Sequence, residues 1–284
     1  MNLECVVNVS EGRDVAVLGE LAAACGGVLL DVHRDPDHHR AVFTLGGPAA
    51  TVEAGARALA AAAVAAVDLA GHAGRHPRIG VLDVVPFVPL DTGPVPDLAP
   101  AVAARDRFAR WAAAELELPC FLYGPLPDGG HRTLPELRRA AFGELRPDYG
   151  PPDPHPTAGG CAVGARPVLV AYNLWVAGGT PGLIRSVASA IRGPAVRSLG
   201  LDLSGKLQVS CNLVAPYDVG PAQVHDTVDR LLRAEGARVA GSELVGLVPE
   251  AVLAAVPPAR WAELDLRPDR TIEARLESRL TRPG

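Results

Sequence analysis

The chain has 284 residues, of which 48% are hydrophobic and 21% charged, with a formal net charge of −5. Those values suit a globular protein with a real core, and without a long basic run they set aside a nucleic-acid-binding surface. Aromatic residues make up only 4%, so Ala, Val and Leu must fill the core; Lys206 is the one lysine among 27 basic residues.

In chain order, Leu3–Val9 reads as a buried strand, and Asn8, Ser10, Glu11 and Gly12 as a polar turn at its end. Asp14 is placed to cap a helix running to about Cys25, which Gly26 and Gly27 stop. A strand at Val28–Val32, a turn at His33–His38 and a strand at Ala41–Leu45 follow. Gly46, Gly47 and Pro48 open a helix to about Ala70. Its stretch Ala56–Ala70 holds only ten uncharged residues between Arg57 and Asp68, too few to span a bilayer, so no membrane segment is expected. A glycine-rich loop, GHAGRHPRIG at 71–80, leads into a strand at Val81–Val88, a helix from about Asp97 to Leu116 and a strand at Phe121–Tyr123.

Residues 124–160 carry eight prolines and break the pattern. Regularity resumes at Arg166 with a strand Pro167–Tyr172, a helix Gly182–Arg192 and strands Val196–Leu203 and Leu207–Val214. A helix Ala222–Gly236 and a short strand Ala237–Val239 come next. The region from Pro249 reads as helical, with Arg267–Gly284 polar enough to fray. The expected fold class is therefore α/β (α+β): two βαββαβ-like subdomains, 1–165 and 166–284, each a sheet covered by helices, with the active site in the cleft between them.

Cys5, Cys25, Cys120, Cys161 and Cys211 are odd in number, widely spaced and free of CxxC spacing, which predicts buried free thiols in a reducing cytoplasm. The N-terminus lacks a basic region followed by an apolar one, so no signal peptide is expected.

Four side chains in the 71–80 loop can do chemistry: His72, Arg75, His76 and Arg78. The glycines and Pro77 forbid the helix that would put His72 and His76 on one face, and no glutamate sits between them, which argues against zinc. A solvated, idle loop is the plain alternative. Proton transfer suits the residue types better, because histidine titrates near neutrality and flanking arginines can tune it or hold an anion. Gln208, Ser210 and Asn212 alternate along one strand face and mark either an exposed sheet face or a cleft floor. Asp83 and Asn173 are single polar residues inside apolar strands, so each is expected to have a partner. The glycine-rich pieces at 158–161 and 177–180 lack GxGxxG spacing, which disfavours a dinucleotide loop.

HAGRHPRIGVLDVVPFVP closely resembles the HxGxHPRxGxLDVxPFxP signature of glutamate formiminotransferases. NVSEG (8–12), LLDV (29–32) with Arg40, FLYG (121–124), PDYGP (147–151), GAR (164–166), AYN (171–173), QVSCNL (208–213) and GSELVGLVP (241–249) have counterparts in the same order. The resemblance covers nearly the whole chain and lacks any cyclodeaminase half. It implies two α/β subdomains, commonly dimerised through the first, that transfer the formimino group of N-formimino-L-glutamate to N5 of tetrahydrofolate. His76 corresponds to the family's catalytic histidine. The folate-contacting segment corresponds to Gly150, Pro151, Pro152, Asp153, Pro154, His155, Pro156, Thr157, Ala158 and Gly159.

Candidate substrate contacts are His33, Arg40, His72, Arg78, Arg166, Asn173, Gln208 and Ser210, the arginines because a guanidinium can grip a carboxylate with two parallel hydrogen bonds. The expected site has no metal, tetrahydrofolate is a co-substrate, and a cytoplasmic homodimer in histidine catabolism is the implied setting. Departures from the family pattern fall at His33 in place of the second Asp of DxD, at His39 before Arg40, at Trp175, at Ala140-Ala141, and in a shorter segment before PDYGP. They keep open a relative acting on a different amine, or a non-catalytic folate-binding homologue.

Overall fold

In the computed structural model, residues 1–72, 78–90 and 96–280 are described. Two compact units emerge, Met1–Pro167 and Val168–Gly284. Unit 1 begins with β1 (Asn2–Val9), α1 (Val15–Ala24), β2 (Leu29–Asp35), β3 (Arg40–Pro48), α2 (Ala49–Ala66) and β4 (Leu82–Pro89). It continues with α3 (Ala99–Glu115), β5 (Cys120–Pro125), β6 (His131–Arg132), α4 (Leu134–Ala140) and β7 (Cys161–Ala165). Its seven strands lie in the order β2-β3-β1-β4-β7-β5-β6.

Leu3, Cys5, Val7 and Val9 alternate on one face of β1 and are buried with Leu21, Leu59 and Phe108 of the first three helices. Asp14 starts α1 as expected, its carboxylate accepting from the Ala16 and Val17 amides. Helix α2 is 18 residues long and by length and composition could cross a membrane. The expectation that this region is too short to do so is corrected. What identifies α2 as a core helix is packing: Val52, Ala56, Leu59, Ala60 and Ala63 are buried against the sheet.

Two further expectations fail in unit 1. His33, Arg34 and Asp35 are strand, not turn; β2 is the edge of the sheet, where charged side chains reach solvent without breaking the ladder. The 124–160 stretch is not unbroken loop. Thr133 and Glu136 form a capping box that starts α4. β7, read as irregular, is parallel to both β4 and β5 in the middle of the sheet. A strand buried on both faces shows no alternation, and CAVGA is small because it must be: a Cβ on Gly164 would lie 2.0 Å from the Tyr123 ring.

Unit 2 comprises β8 (Val170–Ala177), α5 (Pro181–Ala190), β9 (Val196–Leu203), β10 (Lys206–Leu213), α6 (Pro221–Arg233), β11 (Arg238–Val245), α7 (Glu250–Ala254) and α8 (Ile272–Leu280). Its sheet order β11-β8-β10-β9 is the same split βαβ arrangement as β4-β1-β3-β2 of unit 1. β11 is longer than expected, with a bulge between Val239 and Gly241. The stretch after Arg267 is anchored at the start of α8: the Ile272 amide donates to Val248 O, the Val248 amide to Arg270 O, and Ile272 is buried. Tyr172, Leu174, Val209 and Cys211 face the core, while Asn173, Trp175, Gln208 and Ser210 lie on the opposite face. All five cysteines are buried and free.

Candidate active site

The polar face of the unit 1 sheet is built from strand ends. Asn8 pairs with Val84 and Val9 with Leu82, so Asp83 is the extra residue of a β-bulge. Bulges re-aim side chains, and here a carboxylate that is 1% exposed is turned toward a cluster of arginines. Asp83 accepts from the Ile79 amide at 3.0 Å, from Arg138 Nη2 at 2.5 Å, and lies 3.5 Å from Arg40 Nη1. Arg40 also donates from Nε and Nη2 to Asn8 Oδ1, at 3.0 and 2.5 Å. Burial pushes the Arg40 guanidinium down to about 10, with Asp83 opposing that shift, so it remains a cation at neutral pH.

Arg78 sits at the rim of this cluster and reaches the β2–β3 turn, its Nη2 donating to His38 O at 3.2 Å. Its Nη1 is 2.6 Å from His72 Nδ1, while His72 Nε2 donates to His39 O at 3.2 Å. The imidazoles of His39 and His72 stack with centroids 3.9 Å apart, and His39 Nε2 lies 3.2 Å from Glu11 Oε1. Burial, the Arg78 charge and His39 hold His72 below the ordinary histidine range. Burial would raise Glu11, but amides of Asp14 and Arg13 donate to its carboxylate and, with His39, keep it below the usual range. His76 lies outside the described residues, as does Arg75.

The proline-rich segment is docked on both sides of that loop. Leu69 N donates to Thr157 O, Val81 N to Ala158 O and Gly160 N to Ile79 O, each at 2.8–2.9 Å. Gly80 and Gly159 form a bridge, and a Cβ on Gly80 would lie 1.8 Å from Gly160 O, so only glycine permits the approach. His155 Nδ1 accepts from the Thr157 and Ala158 amides and shapes the turn. Gly150, Pro152, Asp153, Pro154 and Pro156 are exposed, Pro151, His155, Thr157 and Gly159 half-buried, and Ala158 is buried. Upstream, Asp148 fixes the segment by accepting from the Leu122 amide and Arg132.

Residues 2–166 match the formiminotransferase domain, N-terminal subdomain. A glutamate formimidoyltransferase of Streptococcus pyogenes is 34% identical, covering 88% of this chain and 90% of that protein. One from Thermoplasma acidophilum is 32% identical, covering 88% and 89%. This chain belongs to the formiminotransferase family. The formimidoyltransferase-cyclodeaminase of Sus scrofa is 34% identical, and this formiminotransferase spans about half of its length.

Of the residues singled out in the sequence, unit 1 brings Arg40, Arg78, His72 and the Gly150–Gly159 segment together. His33 is half-buried on β2, opposite Val42 and on the same sheet face as Asn8. Arg166 hydrogen-bonds the Tyr123 hydroxyl and donates from Nη1 to Pro167 O, at the end of β7. In unit 2, Asn173 donates to Glu243 at 3.1 Å, and Gln208 and Ser210 flank it on the same face. Arg138 escaped the sequence reading, since the capping-box helix that carries it lies inside a proline-dense stretch. Among the described residues, no group of three or more His, Cys, Asp and Glu is placed to hold a metal ion.

Proposed function

We propose that this formiminotransferase moves the formimino group of N-formimino-L-glutamate to N5 of tetrahydrofolate, giving 5-formiminotetrahydrofolate and glutamate. The observation that carries the reading is identity of 32–34% with two glutamate formimidoyltransferases across about nine-tenths of both chains. N5 attacks the amidine carbon, a tetrahedral adduct forms, and the carbon–nitrogen bond to glutamate breaks. His76 takes the N5 proton and returns it to the departing glutamate nitrogen, a task for a group titrating near neutrality. Holding both substrates in one site supplies a large part of the acceleration by proximity.

Arg40, Arg78 and Arg138 share one buried carboxylate, Asp83, which supports a cationic patch suited to the substrate's carboxylates. The 150–159 segment, hydrogen-bonded to both flanks of the histidine loop, is the natural folate contact. Small-molecule substrates, with neither nucleic acid nor membrane, agree with the net charge of −5 and the packed α2. Buried free thiols suit a reducing cytoplasm. A homodimer and a role in histidine catabolism complete the proposal.

The test is product formation from formiminoglutamate and tetrahydrofolate, read as 5,10-methenyltetrahydrofolate absorbance after acidification. Turnover with formiminoglutamate and none with other amidine donors is the expected result. Turnover only with another donor, or folate binding without transfer, overturns the reading.

A further inference from the structure

His39, at the tip of the β2–β3 hairpin, has φ of 50°, a left-handed conformation that Asn, Asp and His tolerate better than other L-residues. The conformation has a visible consequence. It directs the His39 carbonyl to His72 Nε2 at 3.2 Å and toward Arg78 Nη1 at 3.5 Å, while the imidazole lies flat on His72. The other end of the ring meets Glu11 Oε1 at 3.2 Å, and Glu11 is itself fixed by the Arg13 and Asp14 amides at 2.6 and 2.9 Å. Arg13 Nε donates to Pro36 O, tying the start of α1 to the same hairpin.

One residue thus joins α1, the hairpin, His72 and Arg78. In sequence, His72 and Arg78 bracket residues 73–77, which include His76. The proton-transfer scheme above makes no use of His39.

We propose that His39 is a positioning residue, clamping both flanks of the loop that bears His76 through its left-handed backbone and its stacked ring, with Glu11 as anchor. The kinetic half of this inference rests on the formimino-transfer reading; the structural half does not.

Among the described residues, the charged and titratable groups around His72 are Arg78, His39 and Glu11; those around His39 are Glu11, Arg13, Arg78 and His72. Burial holds both imidazoles below the ordinary histidine range, reinforced at His72 by Arg78 and opposed at His39 by Glu11. A stacked pair that stays neutral at pH 7 avoids placing two cations 3.9 Å apart.

The experiment compares the full chain with His39→Val and His39→Asn, following the His72 imidazole by NMR titration and measuring kcat and KM for both substrates. Valine is poorly suited to the left-handed region, and asparagine adopts it readily. His39→Val should lower kcat at least tenfold while each KM stays within threefold, and His39→Asn should recover most of that loss. In both variants the His72 midpoint should rise, because the ring that buries and repels it is gone. An unchanged His72 midpoint, a kcat unaffected by valine, or asparagine as damaging as valine overturns the clamp. If the unaltered enzyme transfers no formimino group, the functional reading falls, and the His72 titration alone decides the clamp. Should the valine variant fail to fold, His39→Asn decides it by that midpoint, and Glu11→Gln decides the anchor: His39's midpoint should fall, and an unchanged one overturns it.

Discussion

Units 1 and 2 share a βαββαβ core with the same strand order, yet their connections differ in length where they correspond. The α2–β4 connection of unit 1 occupies residues 67–81, whereas its counterpart between α6 and β11 is residues 234–237. The β2–β3 hairpin turns over residues 36–39, and β9–β10 over residues 204–205. The two lengthened connections meet each other through His39, His72 and Arg78. Unit 1 then adds β7, which brings the 150–159 segment to the same place. On a scaffold common to both units, His39, His72 and Arg78 lie on the lengthened connections, and loops on rigid frames commonly carry function. At those two places unit 2 has short turns, and its polar side chains Asn173, Gln208 and Ser210 lie on a sheet face instead.

That contrast predicts unequal consequences for the two buried polar pairs. Asp83→Ala leaves Arg40 and Arg138 facing each other without their carboxylate and should cost about 3 kcal/mol of stability, since stripping a buried ion cluster of one sign is among the larger single losses. Asn173→Ala removes one neutral donor from Glu243 and should cost about 1 kcal/mol. Denaturant melts of the two variants measure both; equal losses would show that the ion cluster of unit 1 and the neutral pair of unit 2 carry the same load.

A smaller effect is set by pH. His39 and His72 are held below the ordinary histidine value, so the unfolded chain takes up protons first as pH falls past about 6.5. The stability these neutral imidazoles contribute is present above that pH and lost as pH falls through their folded values. Glu11, also lowered, acts in the same direction at more acidic pH. Melting temperatures between pH 7.5 and 5 should therefore decline, and less steeply in His72→Gln. A flat profile would contradict the buried, neutral stack.

Much of this was legible from the residues. Asp83 and Asn173 announced partners because a lone polar group in an apolar strand is costly without one, and each has one. Asp14 followed from capping preferences, while residues 73–77 of the glycine-rich histidine loop lie outside the described residues. What could not be read was which groups meet: Arg138 reaches Asp83 across 55 positions, and only the fold supplies that contact. β7 was missed because a short strand buried on both faces has no alternation, and the end of β2 because edge strands tolerate charge. Helix α2 ends at Ala66, short of the expected Ala70, and counting uncharged residues was the wrong ground for setting a membrane span aside, since burial of one face decides its nature.

The central claim is that the residue doing the chemistry sits on the lengthened α2–β4 connection. The most direct test is a single-turnover measurement of 5-formiminotetrahydrofolate formation with both substrates saturating, comparing the unaltered enzyme, His76→Ala and His72→Ala. The account predicts a loss of about 1,000-fold for His76→Ala, as expected for removing a general acid–base, against about tenfold or less for His72→Ala. Comparable losses in the two variants, or transfer by His76→Ala within tenfold of the unaltered enzyme, would contradict it.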